Sequence, residues 1–99
     1  MQYTTKRDGS GVEATISGRL TFTDAPHFPQ FLDQAMKDAS TCAIDLGDLQ
    51  AIDSTGMSLF IHVYDLARNN GATVVLRNVH GQVRDSLRRA SFDELFSFE

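Results

Sequence analysis

The chain has 99 residues, enough for one domain but few enough that its core must be used efficiently. At 41% hydrophobic and 22% charged, with two prolines, it has the composition of a globular protein, which excludes a disordered or fibrous chain. A formal net charge of −4 argues against sequence-independent nucleic-acid binding, which needs clustered Lys and Arg. The densest basic cluster, Arg84, Arg88 and Arg89, encloses Asp85 and reads as a solvated helix face.

Residues 2–8 form a first candidate strand, and Gly9-Ser-Gly11 reads as a turn. Val12–Ser17 alternates apolar with polar, as a half-buried strand does, so the two segments predict a hairpin that Gly18 ends. Thr23 or Asp24 is placed to cap a helix, with Pro26 in its first turn, where a missing N–H costs little. Phe28, Phe31, Leu32, Ala35 and Met36 recur at helical spacing and predict an amphipathic helix to about Ala39, its aromatic stripe facing the core. Ala43–Leu46 begins with a short apolar run and Ala51-Ile52 follows after a small loop, the pattern of strands buried in a parallel sheet.

The chain then turns at Asp53-Ser-Thr-Gly56 and enters a helix to Asn70, with Gly71 fitting its C-terminal cap. Thr73–Leu76 is the clearest strand, residues 81–90 a last short helix, and Leu95–Phe98 a final short strand. Alternation of this kind implies one α/β domain: a mixed central sheet of four to five strands, with parallel crossovers and helices packed on it.

Cys42 is the single cysteine and cannot close an internal disulfide; its apolar neighbours Ala43 and Ile44 make it a small buried hydrophobe. The N-terminus carries no apolar leader, and no stretch approaches the roughly 18 apolar residues of a membrane span. The expectation is a reduced, cytoplasmic setting. His27, His62 and His80 are too scattered for metal-ligand spacing. No phosphate-binding glycine loop is present, and Ser54 lacks the Gly-x-Ser-x-Gly surroundings of a nucleophile elbow. A Ser/His/Asp triad needs no adjacency, so the sequence leaves that arrangement open. With no visible constellation of catalytic groups, the expectation is a binding protein and not an enzyme. Arg88-Arg89-Ala-Ser91 superficially resembles a basophilic kinase site, but Ser91 reads better as a local cap before Phe92.

The informative segment is Asp53-Ser54-Thr55-Gly56, between a buried strand and an apolar helix. Polar residues at that junction are explained by capping alone, because their oxygens accept the free N–H groups of the first turn. A functional reading adds that a helix N-terminus tolerates negative charge. A phosphate on Ser54 would add about −1.5 to −2 charges at an exposed loop without unfolding the domain, and a partner packed there would be repelled.

The helix that follows is apolar over an arc of roughly 220° at about 100° per residue, wider than one sheet contact needs. Met57, Leu59, Phe60, Ile61, Val63, Tyr64, Leu66 and Ala67 make up that arc. The surplus lies near Met57, Ile61 and Tyr64 or near Leu59 and Leu66, and either a neighbouring helix or a partner covers it.

The run Ile44-Asp-Leu-Gly-Asp-Leu-Gln-Ala-Ile-Asp-Ser-Thr-Gly-Met57 resembles the signature of the STAS (anti-sigma-factor antagonist) family. Gly71-Ala-Thr-Val-Val-Leu76 is similar to that family's next strand, Gly18-Arg-Leu with Asp24-Ala to its entry into the first helix, and Val83 and Leu87 to its short third helix. The resemblance implies a single STAS-type domain over residues 1–99. Its single-domain bacterial members bind an anti-sigma factor that is also a serine kinase, thereby release a sigma factor and regulate transcription, and are reset by a phosphatase.

Carried over, Ser54 is the phosphorylated residue, Asp53 its orienting neighbour, and Thr55, Gly56 and Met57 the adjoining contact loop; Asp53, Thr55, Gly56, Met57 and the nearby Asp24 are the expected partner-binding residues. The kinase would supply ATP and magnesium, so the chain itself needs no cofactor. The family's other uses imply two alternatives: a constitutively bound accessory subunit of a lipid-transport ATPase complex, or a switch in biofilm or motility control without a sigma factor. The sequence departs from the pattern at Thr21, where many antagonists carry an acid, and at Phe92, which follows Ser91 in place of glycine.

Overall fold

A computed structural model describes residues 1–99. The hairpin forms as expected: β1 (Gln2–Asp8) pairs antiparallel with β2 (Gly11–Leu20), with Tyr3 opposite Ile16. β3 (Thr41–Asp45), β5 (Thr73–Arg77) and β6 (Ser97–Phe98) extend the sheet in parallel, giving the order β1-β2-β3-β5-β6. β4 (Leu49–Ile52) stands off this five-stranded path and pairs in parallel with the far end of β2.

That arrangement corrects the role of Gly18. The strand does not end there; the register slips between Gly18 and Arg19. Gly18 sits at φ +85°, a conformation open to a residue without Cβ, and the strand bends around it. One strand thereby serves two partners: Gly11–Thr15 face β3, and Gly18–Leu20 face β4.

The first helix also starts later and ends sooner than its sequence pattern implies. Phe22–His27 is a 3₁₀ segment whose N-cap is Thr21, with Asp24 at the third position and Pro26 inside it. The regular helix α1 spans Phe28–Met36. It stops because Lys37 turns extended and Asp38 takes φ +57°. α2 (Ser54–Asn70) ends as predicted at Gly71, φ +67°. α3 covers Gly81–Arg89, and β6 is only two residues, with Leu95 and Phe96 left in the preceding turn.

One face of the sheet is apolar. Val12, Cys42 and Val74 form one cross-strand row, and Ala14, Ile44 and Leu76 the next. Phe28, Phe31, Ala35 and Met36 of α1 and Phe60, Val63 and Ala67 of α2 complete a single cluster with them. The opposite face carries exposed side chains, among them Glu13 and Arg77, which form a loose ion pair at 3.4 Å. No helix is long and apolar enough to cross a membrane.

Cys42 lies inside this core, 1% exposed. Burial pushes its thiol from 9.0 up to about 11, against a smaller opposing pull from Arg7. The native thiol is therefore protonated and shielded at neutral pH. Between pH 9 and 11 the unfolded chain gains a thiolate that the folded chain resists, so this group favours unfolding as pH rises through that window. A thiol reagent at pH 8 should label the folded protein no faster than it opens, and label it promptly in urea; prompt labelling without denaturant would contradict the burial.

Candidate functional site

The site forms where β4 hands the chain to α2. Asp53 is the N-cap of α2, and Ser54 follows it as the first helical residue. Its Oδ1 accepts from the Gly56 N–H at 2.8 Å. Its Oδ2 accepts from the Phe22 N–H at 3.1 Å, so one carboxylate joins the start of α2 to the 3₁₀ segment. The Asp53 N–H donates to the Leu20 carbonyl at 3.2 Å, and its own carbonyl accepts from Met57 at 3.0 Å. Every polar group of Asp53 is thus spent on fixing the junction.

Ser54 is the first residue of the helix and is exposed. Its carbonyl accepts from the Ser58 hydroxyl at 3.2 Å, while its own hydroxyl takes part in no hydrogen bond within the chain. Of the N–H groups of the first turn, that of Gly56 is taken by the Asp53 carboxylate, while those of Ser54 and Thr55 have no acceptor within the chain. Helical spacing sets Met57, Ser58 and Ile61 on the Ser54 side. Met57 is half-buried, whereas Ile61 is 44% exposed. Of the two edges of the apolar arc, this one carries the exposed Ile61 with Met57 and Tyr64 half-buried, whereas on the other Leu59 is buried and Leu66 half-buried.

Two residues expected to bind the partner, Gly56 and Asp24, are internal. Gly56 is buried, and a Cβ there would stand 2.5 Å from the Leu20 carbonyl oxygen and 2.7 Å from Ile52 Cγ1. Its function is close approach of α2 to β2 and β4, so it offers no surface to a partner. Asp24 is 7% exposed and faces inward as well. Its Oδ2 accepts from the Thr21 N–H at 2.8 Å and its Oδ1 from the terminal ammonium of Met1 at 2.6 Å. It holds the 3₁₀ turn that presents Phe22. Burial alone would raise the Asp24 carboxyl; the hydrogen bond from the ammonium, the bond from Thr21 and the nearby positive charge outweigh it and leave it below the ordinary 3.8.

Phe22 was not picked out by sequence reasoning. It is 70% exposed, the most exposed large apolar side chain, and its N–H is bonded to the Asp53 carboxylate. The available signal was an aromatic residue between two threonines, six positions before the Phe28 stripe and outside its periodicity. Ser54, Thr55, Met57, Ile61 and Phe22 are therefore the accessible part of the site, and Asp53, Gly56 and Asp24 its framework. No group of three or more His, Cys, Asp or Glu side chains is gathered here or elsewhere in a form that could hold a metal.

A family model described as the Mlab STAS domain matches residues 3–97. No curated protein matches the chain in sequence. Among solved structures, an anti-sigma factor antagonist from Mycobacterium paratuberculosis superimposes with a TM-score of 0.77 at 22% identity, over 98% of this chain and 85% of that one. SpoIIAA in its unphosphorylated form gives 0.75 at 14% identity, over 99% of this chain and 87% of that one. The Bacillus cell fate determinant SpoIIAA in its phosphorylated form gives 0.75 at 13%, over 99% and 91%. At these identities the likeness is one of fold.

Two variants test the framework. Gly56→Ala forces a methyl group against backbone and should cost about 1–3 kcal/mol or more of unfolding free energy; an unchanged urea midpoint would refute the close approach. Asp24→Asn removes a charged acceptor and should cost about 1.5–3 kcal/mol at pH 7. Because the Asp24 carboxyl is lowered, its contribution is complete above the ordinary aspartate range and disappears as pH falls through the lowered value. The wild-type and Asp24→Asn stabilities should therefore converge in acid, and a gap that stays constant with pH would refute the charge-based account.

Proposed function

The chain belongs to the STAS domain family, and we propose that it is an anti-sigma factor antagonist whose docking surface is switched by phosphorylation of Ser54. The supporting observation is an exposed, unengaged hydroxyl on the first residue of α2, placed on the same helix side as Ile61 and next to the junction that presents Phe22. In the unmodified state the apolar side chains of Phe22, Met57 and Ile61 offer a partner a desolvated contact, and Ser54 and Thr55 sit at its edge. The partner of this reading is an anti-sigma factor with serine-kinase activity, and a phosphatase resets the site. The chain acts by binding and supplies no catalytic group.

Phosphate at Ser54 would meet the free N–H groups of the first turn and the positive end of the helix. The fold has no reason to change, since the Ser54 hydroxyl holds nothing together. In keeping with this, both the unphosphorylated and the phosphorylated form of SpoIIAA have the fold of this chain. The added charge would lie among apolar side chains that a partner has to bury, and burying it there costs several kcal/mol unless it is paired.

The description of the matching family model by the name Mlab, and not as an antagonist, favours a second reading. In it, the same surface binds a transport-complex subunit constitutively, and Ser54 is never modified. Pull-down from native cells followed by mass spectrometry separates the readings, since a serine kinase and a transport ATPase are different partners.

Ser54→Ala should fold normally and retain the partner. Ser54→Asp should fold equally well and bind more weakly, by about tenfold or more for a penalty of 1.4 kcal/mol. Phe22→Ala should weaken the same complex without altering stability, as loss of an exposed anchor does. Binding of Ser54→Asp at wild-type affinity, read by calorimetry, would refute the switch.

A further inference from the structure

The residue before the site is held from an unexpected side. Ile52 ends β4, and its neighbours Ala51 and Asp53 direct their backbone groups toward β2. By strand alternation the N–H and C=O of Ile52 point the other way, along an edge of β4 with no strand beside it. There the Gln82 carboxamide meets both: Oε1 accepts from the Ile52 N–H at 3.0 Å, and Nε2 donates to the Ile52 carbonyl at 3.2 Å. The second Nε2 hydrogen is directed to the Ser86 hydroxyl at 2.7 Å, which fixes the amide orientation one helical turn on. A side-chain amide has the donor and acceptor of a peptide unit, and here it completes the ladder as a neighbouring strand would. The next two residues are Asp53 and Ser54.

We infer that Gln82 is the positioning residue of the Asp53–Ser54 segment. It clamps Ile52 from α3 while Leu20 clamps Asp53 from β2, so the backbone entering α2 is gripped on both sides. α3 is thereby coupled to the site although none of its side chains belongs to it. Where the consequence concerns phosphorylation, the inference rests on the reading of Ser54 as the modified residue.

The test compares wild type with Gln82→Leu, Ser86→Ala and the outer-face control Arg84→Ala. Amide hydrogen exchange is read by NMR at Ile52, with Ile44 and Leu76 as core references. In Gln82→Leu, Ile52 should exchange about five- to tenfold faster relative to those references, the loss of one hydrogen bond, and the Ser54 and Gly56 amide shifts should move. Ser86→Ala, which keeps the carboxamide but frees its orientation, should do the same more weakly, and Arg84→Ala should do neither. Unchanged relative exchange at Ile52, or unmoved Ser54 and Gly56 shifts, overturns the inference.

With a serine kinase that modifies wild-type Ser54, Gln82→Leu should be modified several-fold more slowly, and an equal rate also overturns it. If no kinase modifies the wild type, the phosphorylation reading fails, and the exchange data alone decide the place of Gln82.

Discussion

Two hydrogen bonds to one carboxylate join parts of the chain 31 residues apart, because Asp53 accepts from Gly56 at the head of α2 and from Phe22 at the start of the 3₁₀ segment. The first bond is ordinary capping, worth about 1 kcal/mol to a helix. The second is what makes a site. It fixes the most exposed aromatic side chain of the molecule beside the first turn of α2, where the Ser54 hydroxyl is displayed. Gly56 serves the same joint sterically, since only a residue without Cβ lets α2 start this close to the Leu20 carbonyl. A rigid junction of this kind can change its charge without changing its shape.

The balance of charges at the junction explains how one group could decide a binding event. The positive end of α2 amounts to about half an elementary charge, already opposed by the Asp53 carboxylate. A phosphate brings about −1.5 to −2 more, several times what the dipole can offset. The helix would gain a little from its free N–H groups, so the proposed modification would leave the fold intact. The solvent-facing side is left strongly negative over about one Debye length, roughly 8 Å at physiological salt. Helix rise is about 1.5 Å per residue, so that reach spans little more than the first turn and a half of α2. The proposed repulsion is therefore local: it covers Ser54, Thr55 and Met57, fades toward Ile61, and spares the open face of the sheet.

What the sequence made readable follows from the range of the interactions involved. Gly71 at the end of α2, the Phe28–Met36 stripe and the Asp53–Gly56 turn are settled by residues within one or two turns of one another, and each appears in the structure in its expected place. Gly18 looked like a terminator because glycine weakens a strand, yet β4 supplies pairing beyond it that no local pattern reveals. Gly56 sits in the motif and Asp24 at the entry to the first helix, and both read as contact residues, but packing against Met1, Thr21 and Leu20 turns them inward. Phe22 and Gln82 were invisible for a related reason. Their importance comes from bonds to Asp53 and Ile52 that span 31 and 30 positions, and neither residue type advertises such a bond.

The same separation of framework from surface bears on how a partner would be chosen. Asp53, Gly56, Asp24 and Gln82 have their polar or steric capacity consumed inside the chain, so they can set the shape of the junction but cannot recognise anything. On the proposed reading, recognition would fall to the few side chains left accessible: Phe22, Ser54, Thr55, Met57 and Ile61. Two members of one family could share the whole framework, and with it the motif, yet differ in partner through Phe22 and Ile61 alone. A motif match accordingly identifies the junction with more certainty than it identifies what docks there. The name of the partner has to be sought in the exposed apolar positions beside the motif, where a change of one side chain alters the contact and leaves the fold as it was.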